Sequence, residues 1–201
     1  MSTMHDIARH LWRGQNVRLN GVTKEDLPVL ALWYQDPGFL RLWNADPAKP
    51  RSEADLSKSL EEEAKKENAF RFAIRPLEGN DLLGVAEIDW ILWNCGTGWV
   101  SIGFGDRAHW GKGYGADAMR LLLDYAFSEL NLHRVQLTVF AYNERAIALY
   151  EKVGFVREGA YREFLYRDGA RYDMYLYGLL RREWEARRQV QAPGGGAEGA
   201  G

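Results

Sequence analysis

The chain has 201 residues, of which 46% are hydrophobic, 27% charged and 13% aromatic. This length allows one domain to bury a core without disulfide bonds, and the composition excludes a chain that is disordered throughout. With 26 Lys and Arg residues against 28 Asp and Glu residues, the chain lacks the basic excess that drives binding to phosphate backbones or anionic membranes. We therefore expect no nucleic-acid partner and no membrane partner.

Cys95 is the only cysteine of the chain, and four histidines are scattered along it. These residues exclude an intramolecular disulfide and lack the paired spacing of zinc ligands, so we expect no metal site. The first ten residues lack the apolar core of a signal peptide, no apolar run is long enough to span a membrane, and we expect a cytoplasmic protein. Eight tryptophans indicate aromatic walls around a ligand, with core filling as the alternative.

The first third of the chain predicts one strand and two helices. Alternation at 17–20 indicates the strand, and a capping-box pattern at 23–26 predicts a helix over 24–35. The same pattern at 52–55 predicts a second helix with a charged outer face. Segment 36–50, DPGFLRLWNADPAKP, has no periodicity, and we expect a loop that covers a pocket.

From residue 70 the hydrophobic period changes to two, which predicts an antiparallel meander of three strands at 70–75, 82–93 and 99–104. A glycine-rich loop follows, and apolar residues then recur from 119 to 130 with the spacing of a helix. The remaining predicted elements are a strand at 134–140, a short helix over 143–153 ended by Gly154, and two long strands at 155–166 and 171–180, joined at Arg167–Ala170.

These elements predict a mixed α/β fold with a mostly antiparallel sheet flanked by helices. Only the strands at 99–104 and 134–140 are joined by a helical crossover, so they form the expected parallel pair. We expect a single domain over 1–191 and a flexible, glycine-rich tail at 192–201.

The strand, glycine loop and helix at 99–130 predict a site for a phosphate-bearing ligand. Glycines allow close approach to the backbone, and a helix start presents unpaired N–H groups. The P-loop pattern GxxxxGK[ST] is absent, whereas Gly111, Gly113 and Ala116 satisfy the dinucleotide pattern G-x-G-x-x-A. The dinucleotide pattern lacks the structural context of a dinucleotide site. No acidic residue stands at the end of the next strand, and the flanking elements are not βαβ units. A tight turn with a purely structural role would explain one glycine in this loop, but it explains three glycines within five residues poorly.

Three segments together resemble the RimJ/RimL-like branch of the GNAT superfamily of acetyl-CoA-dependent N-acetyltransferases. They read IGFGDRAHWGKGYGADAM, LNLHRVQLTVFAYNERAIALYEKVGF and EGAYREFLYRDGARYDMYLYGLLRREW. The resemblance covers about residues 17–185 and implies the GNAT-type acyltransferase fold with acetyl-CoA as co-substrate and no metal. It also implies that the central strand splays from its parallel neighbour and opens a cleft for the pantetheine arm.

The resemblance implies a set of cofactor-binding residues around the glycine loop. The family pattern Q/R-x-x-G-x-G/A grips the coenzyme A pyrophosphate through backbone amides, and Trp110 here occupies the Q/R position. The implied cofactor-binding residues are Ile102, Phe104, Trp110, Gly111, Lys112, Gly113, Tyr114, Gly115 and Asn143. Asn143 is also a good helix N-cap, and the two roles are compatible.

The same resemblance implies Tyr150 as the general acid that protonates the leaving thiolate, which an unperturbed phenol can do at neutral pH. Packing is the alternative role of Tyr150. In many relatives a Glu opens the motif strand, but Trp99 fills that place here. Glu87 and Asp89 lie two apart on the neighbouring strand, so they share a face and are the nearest candidates for the base. The alternative interpretation is that Glu87 and Asp89 are two carboxylates on a solvated face of the sheet.

We expect direct attack of a primary amine on the thioester, because Cys95 has no nearby His to activate it as a nucleophile. The sequence leaves the acceptor open between a protein N-terminus, a polyamine, an amino acid and an aminoglycoside. It also leaves open whether the protein forms a homodimer. A Trp-lined acceptor end favours a peptide N-terminus or an aromatic or aliphatic small amine over spermidine, which would need an acidic funnel such as Glu61, Glu62 and Glu63. The rival interpretations are a non-catalytic acyl-CoA binding or sensing module and a nucleotide-binding oxidoreductase.

Overall fold

The computed structural model describes residues 11–191 and places seven strands in one sheet, in the order β1-β2-β3-β4-β5-β7-β6. The strands are β1 (Val17–Gly21), β2 (Phe70–Pro76), β3 (Gly84–Leu92), β4 (Thr97–Gly103), β5 (Arg134–Phe140), β6 (Val156–Arg167) and β7 (Ala170–Leu180). The α-helices are α1 (Leu27–Trp33), α2 (Pro37–Trp43), α3 (Glu53–Glu63), α4 (Tyr114–Asp124), α5 (Glu144–Val153) and α6 (Arg181–Gln191). The signal-peptide expectation for residues 1–10 and the predicted tail at 192–201 lie outside the described residues.

Strands β4 and β5 run parallel, and every other neighbouring pair in the sheet is antiparallel. The chain crosses from β4 to β5 through α4 and a π-helical turn at Tyr125–Glu129. The predicted mixed α/β class with one parallel crossover pair and flanking helices is therefore confirmed. Within residues 11–191, no helix is long and apolar enough to cross a membrane.

Side-chain caps explain where several helices begin and end. Ser52 Oγ accepts from Asp55 N at 3.2 Å and starts α3, as the capping box predicts. Asn143 Oδ1 accepts from Ala146 N at 3.3 Å and starts α5, which ends at Gly154 with a φ of 115°. The helix predicted over 24–35 is a 3₁₀ turn at Lys24–Asp26 that leads into α1.

The predicted loop at 36–50 is wrong over residues 37–43, because helix α2 occupies them. Asp36 caps this helix by accepting from Gly38 N at 2.8 Å, and Pro37 fits the first turn because its missing N–H would be unpaired there. Phe39 and Leu40 are buried under the sheet. Two turns are too short for a helical period to stand out in the sequence, so tertiary packing decides this element.

The core has one layer on each face of the sheet. Helices α4 and α5 cover one face, where Met119, Leu122 and Phe127 are fully buried. Helices α1 to α3 cover the other face of β2 and β3, with Trp33 packed in a second cluster. Helix α6 adds Trp184, whose indole Nε1 donates to Asp124 at 3.1 Å. The sheet is thus covered by helices on both faces at β2 and β3, whereas the edge strand β6 is mostly exposed.

A buried ion pair ties the start of α1 to β2. Both side chains are about 4% exposed, and Arg75 Nη2 lies 2.8 Å from each carboxylate oxygen of Asp26. Asp26 also accepts from Thr23 N at 2.8 Å. A buried charge that loses its partner is costly because no water replaces it.

We expect Asp26→Asn to lower the free energy of unfolding by about 3 kcal/mol, since it leaves Arg75 buried without a counter-charge. Urea denaturation at pH 7.5 measures this loss. The exposed Asp81 is the matched control, and Asp81→Asn should change the free energy of unfolding by less than about 0.5 kcal/mol. A loss below about 1 kcal/mol for the Asp26 variant would contradict this account of the pair.

Candidate active site

A cleft opens where β4 and β5 separate. The two strands pair at Thr97 with Arg134, Gly98 with Val135 and Trp99 with Gln136, and pairing then stops. Beyond this point β4 stays paired with β3 and β5 with β7. The cleft between them has a volume of about 660 Å³. The splay that the resemblance implies is thus present in this structure.

The glycine loop lies at one wall of this cleft. Gly111 and Gly113 have φ values of 73° and 83°, a region that favours glycine, and Gly113 forms the N-cap of α4. No heavy atom lies within 4 Å of the position that a Cβ would take at either residue. The loop therefore forms a cradle beside the start of α4, where unpaired backbone N–H groups and the helix dipole favour an anion.

Cations and an unpaired donor surround Trp110 at the same wall. The guanidinium carbon of Arg145 lies 3.1 Å from the centre of the Trp110 ring, and that of Arg107 lies 5.7 Å away. Burial lowers the pKa of Arg145. The indole Nε1 of Trp110 is buried and has no hydrogen-bond partner within residues 11–191. An orphaned donor and two cations beside a glycine cradle fit a phosphate-bearing ligand such as coenzyme A.

Most of the residues predicted to bind the cofactor line this cleft. They are Ile102, Phe104, Trp110, Gly111, Gly113, Tyr114, Gly115 and Asn143. Lys112 is exposed and does not line it. Their contact with a ligand stays a prediction.

Tyr150 lies on α5 and lines the cleft, although it is only 6% exposed. Its ring packs against Phe155 with ring centres 5.9 Å apart. Burial raises the pKa of Tyr150 to about 12, so the phenol keeps its proton at neutral pH. Its hydroxyl forms no hydrogen bond with another side chain in residues 11–191 and is available to a group in the cleft.

A second pocket of about 490 Å³ adjoins the cleft. Five residues line both cavities, namely Trp43, Asn44, Val100, Ser101 and Thr138. The remaining lining residues are Glu87, Asp89, Trp90 and Trp99. The two predicted base candidates therefore face a pocket with aromatic walls, next to the point where the strands separate.

The two carboxylates of this pocket have different surroundings. Glu87 Oε1 lies 2.7 Å from Arg71 Nε, and Glu87 Oε2 accepts from Ser101 Oγ at 3.3 Å. Arg71 also pairs with Glu63 at 2.7 Å. Burial raises the pKa of Glu87, while Arg71 opposes the rise. Burial raises the pKa of Asp89 to about 6, against the opposing charge of Lys66.

Sequence reasoning missed residues on three segments that line the cleft. Phe39, Trp43 and Asn44 come from α2 and its end, and Arg107 and Arg145 flank Trp110. The dipeptide Asp36-Pro37 is the signal that predicts a helix start there. The position of Arg145 depends on how α5 packs beside the glycine loop, and no local pattern shows it. In residues 11–191, no group of three or more His, Cys, Asp or Glu side chains is placed to hold a metal ion.

Comparison with known proteins agrees with this geometry. The acetyltransferase (GNAT) domain family matches residues 16–156, which is more than half of the chain. The chain belongs to the GNAT acetyltransferase family. This match confirms the family that the sequence motifs indicate, and the splayed parallel pair is the structural counterpart of those motifs.

Three relatives are similar to this GNAT protein over different lengths. The uncharacterized N-acetyltransferase p20 of Bacillus licheniformis is 30% identical over 171 residues, covering 85% of this chain and 96% of that protein. The putative ribosomal N-acetyltransferase YdaF of Bacillus subtilis is 44% identical over 78 residues, covering 39% of this chain and 43% of that protein. The crystal structure of Vibrio cholerae spermidine N-acetyltransferase with CoA and spermine has a TM-score of 0.77 at 25% identity, covering 84% of this chain and 98% of that one.

We expect Gly113→Val to weaken binding of coenzyme A by about tenfold or more. A β-branched residue is strained at a φ of 83°, and its side chain enters the cradle. Isothermal titration calorimetry measures the affinity, and circular dichroism checks that the variant is folded. Gly79→Val is the matched control, because Gly79 has a φ of 86°, equally open space around its Cβ position and no place in the cleft lining. Parent-like affinity of the Val variant would place the pyrophosphate elsewhere.

Proposed function

We propose that this protein transfers the acetyl group of acetyl-CoA to a primary amine by direct attack. The observation that carries the proposal is the junction of two cavities at the separation of β4 and β5. One cavity has a glycine cradle and Tyr150, and the other has two carboxylates among indole rings. This arrangement suits a thioester in the first cavity and an amine in the second, with the reacting atoms at the shared wall.

At the coenzyme A end, the N–H groups at the start of α4 would bind the pyrophosphate, with Arg107 and Arg145 as counter-charges. Trp110 would donate its unpaired Nε1–H to the same ligand. Ile102 and Phe104 lie on β4 and the segment after it, where backbone groups face the cleft without a partner strand. These exposed groups can hydrogen-bond an extended amide chain such as pantetheine.

At the reacting centre, Tyr150 would supply a proton to the departing sulfur. Its raised pKa keeps the phenol protonated, and its hydroxyl faces the cleft. The amine must lose a proton before attack, and Glu87, Asp89 or an ordered water could accept it. Trp99 lines the acceptor pocket in the place where the resemblance leads us to expect a carboxylate, so the base differs from that of many relatives.

The direct route is supported by the position of Cys95. This residue is exposed in the turn between β3 and β4 and does not line either cavity. A covalent acetyl-enzyme would need a nucleophile inside the cleft. We therefore propose that acetyl-CoA and the amine bind together before the acetyl group moves.

The class of amine is the finer part of the proposal. The Vibrio relative binds spermine, whereas YdaF is named a putative ribosomal N-acetyltransferase and is matched over 43% of its length. The indole rings of the second pocket favour an amine with a planar or apolar neighbour. A peptide N-terminus and a small aromatic or aliphatic amine both meet this requirement.

Turnover is tested by measuring thiol release from acetyl-CoA with a panel of polyamines, amino-acid derivatives, N-terminal peptides and arylalkylamines. We expect at least one amine to be acetylated with saturation kinetics. Tight binding of acetyl-CoA without turnover of any amine would instead favour the acyl-CoA sensing module.

We expect Tyr150→Phe to lower kcat by about 10²-fold with little change in the affinity for coenzyme A. The substitution removes only the hydroxyl that would protonate the sulfur and keeps the packed ring. Steady-state kinetics and calorimetry measure the two quantities. Phe155→Leu is the control for lost packing, since Phe155 contacts the same ring. An unchanged kcat in the Tyr150 variant would assign this residue to packing.

A further inference from the structure

Strand β3 is distorted where it enters the second pocket. Adjacent residues of a strand point to opposite faces of the sheet, yet Asp89 and Trp90 both line this pocket. Trp90 has a φ of 49°, and the pairing of β3 with β4 shifts between Asp89 and Leu92. A bulge thus turns an indole toward the side of the carboxylate. A strained residue in a bulge beside a pocket is characteristic of a functional site.

Only one of the two carboxylates in this pocket forms an ion pair within the part of the chain that the structure describes. Glu87 is opposite Arg71 in the β2–β3 register and pairs with its guanidinium. Strand β2 begins at Phe70, opposite Ile88, so no β2 residue lies across from Asp89. Asp89 forms no hydrogen bond or ion pair with a side chain in residues 11–191, and the charged groups near it are Lys66, Glu63 and Glu87. Its cross-strand neighbour on β4 is Trp99.

We propose that Asp89 binds the acceptor ammonium and accepts its proton, between the indoles of Trp90 and Trp99. The acceptor is then a primary amine with one positive charge beside a planar or apolar group. This inference rests on the proposed function and chooses between the base candidates left open there. Glu87 is assigned a positioning role, because its charge is balanced by Arg71.

Charge balance separates this acceptor from a polyamine. Within the part of the chain that the structure describes, the second pocket offers one carboxylate without an ion-pair partner. A second ammonium of spermidine would lie against indole rings or solvent, without an acidic partner in the pocket. The acceptor end is therefore expected to differ in specificity from that of the relative that binds spermine.

These roles account for every proton in the step. The ammonium gives one proton to Asp89, and its nitrogen then forms the C–N bond with the acetyl carbonyl carbon. The C–S bond breaks, and the sulfur takes a proton from Tyr150. The second proton lost from nitrogen restores Tyr150 through water, and Asp89 releases the first proton to solvent. One acetamide, one thiol and one proton result.

Asp89→Asn is the decisive variant, compared with Glu87→Gln and with the exposed Asp81→Asn control. For 2-phenylethylamine we expect kcat/KM to fall by about 10²-fold in the Asp89 variant, with an unchanged KM for acetyl-CoA. Asp89 is ionised above about pH 6, so wild-type kcat/KM should fall as pH drops through 6, and this acid limb should vanish in Asp89→Asn. The limb should persist in Glu87→Gln and in the control.

Thermal stability separates catalysis from structure. Burial disfavours the charged form of Asp89, so Asp89→Asn should keep or raise Tm at pH 7.5. Glu87→Gln should lower Tm, because it removes a partner of the half-buried Arg71. A fall in both Tm and kcat/KM of the Asp89 variant would indicate a structural role and overturn the inference.

The remaining outcomes distinguish this inference from the proposed function. If wild-type protein acetylates amines while Asp89→Asn keeps the same kcat/KM and acid limb, Asp89 is not the base, and the acetyltransferase function stands. A kcat/KM for spermidine tenfold above that for 2-phenylethylamine overturns the single-charge acceptor. If no amine is turned over, tryptophan fluorescence with 2-phenylethylamine and saturating coenzyme A tests the site alone. Quenching in the wild-type protein that is lost in Asp89→Asn supports the site. No quenching in the wild-type protein, or quenching that persists in Asp89→Asn, overturns the inference.

Discussion

Strands β4 and β5 are each held along their outer edge, β4 by β3 as far as Gly103 and β5 by β7 as far as Phe140, while their shared edge pairs at only three positions. Backbone N–H and C=O groups on the facing edges therefore lack sheet partners, which is costly unless water or a ligand satisfies them. Because β4 is paired with β3 and β5 with β7 alongside the gap, the strands cannot close it without breaking established hydrogen bonds. The cleft, the glycine cradle and the second pocket all depend on this fixed separation.

Helix α2 forms the roof over this separation, and the β6–β7 hairpin holds the helix in place. Arg167 donates to the carbonyl oxygen of Arg41 at 2.6 Å and to that of Asn44 at 2.9 Å, and Arg41 pairs with Asp168 at the hairpin tip. Trp43 is thereby held against Gly103, where a Cβ would approach its ring to 2.5 Å. The hairpin, which carries the third of the sequence motifs, thus fixes an aromatic wall common to both cavities.

Local signals account for much of the fold and only part of the site. The cap at Asn143, the stop at Gly154 and the crossover of β4 to β5 follow from short-range patterns and are present as predicted. Helix α2 shows no such pattern, because a helix of only two turns depends on tertiary burial for its stability. The shared face of Glu87 and Asp89 follows from strand periodicity. Their different environments do not, since these depend on the β2–β3 register and on the bulge at Trp90.

The contrast between these two carboxylates comes from where β2 begins. In the β2–β3 register Arg71 lies opposite Glu87, whereas the position opposite Asp89 falls at Ala69, which precedes the strand and carries no charge. Because the ladder starts at Phe70, one acid is neutralised inside the sheet, and the next acid on the same face extends past the ladder into the pocket. Burial, opposed only in part by the charge of Lys66, raises the pKa of Asp89 to about 6, within the range useful for proton transfer near neutral pH. The end of one ladder thus separates a carboxylate paired inside the sheet from the one that we propose as the base, through their environments alone.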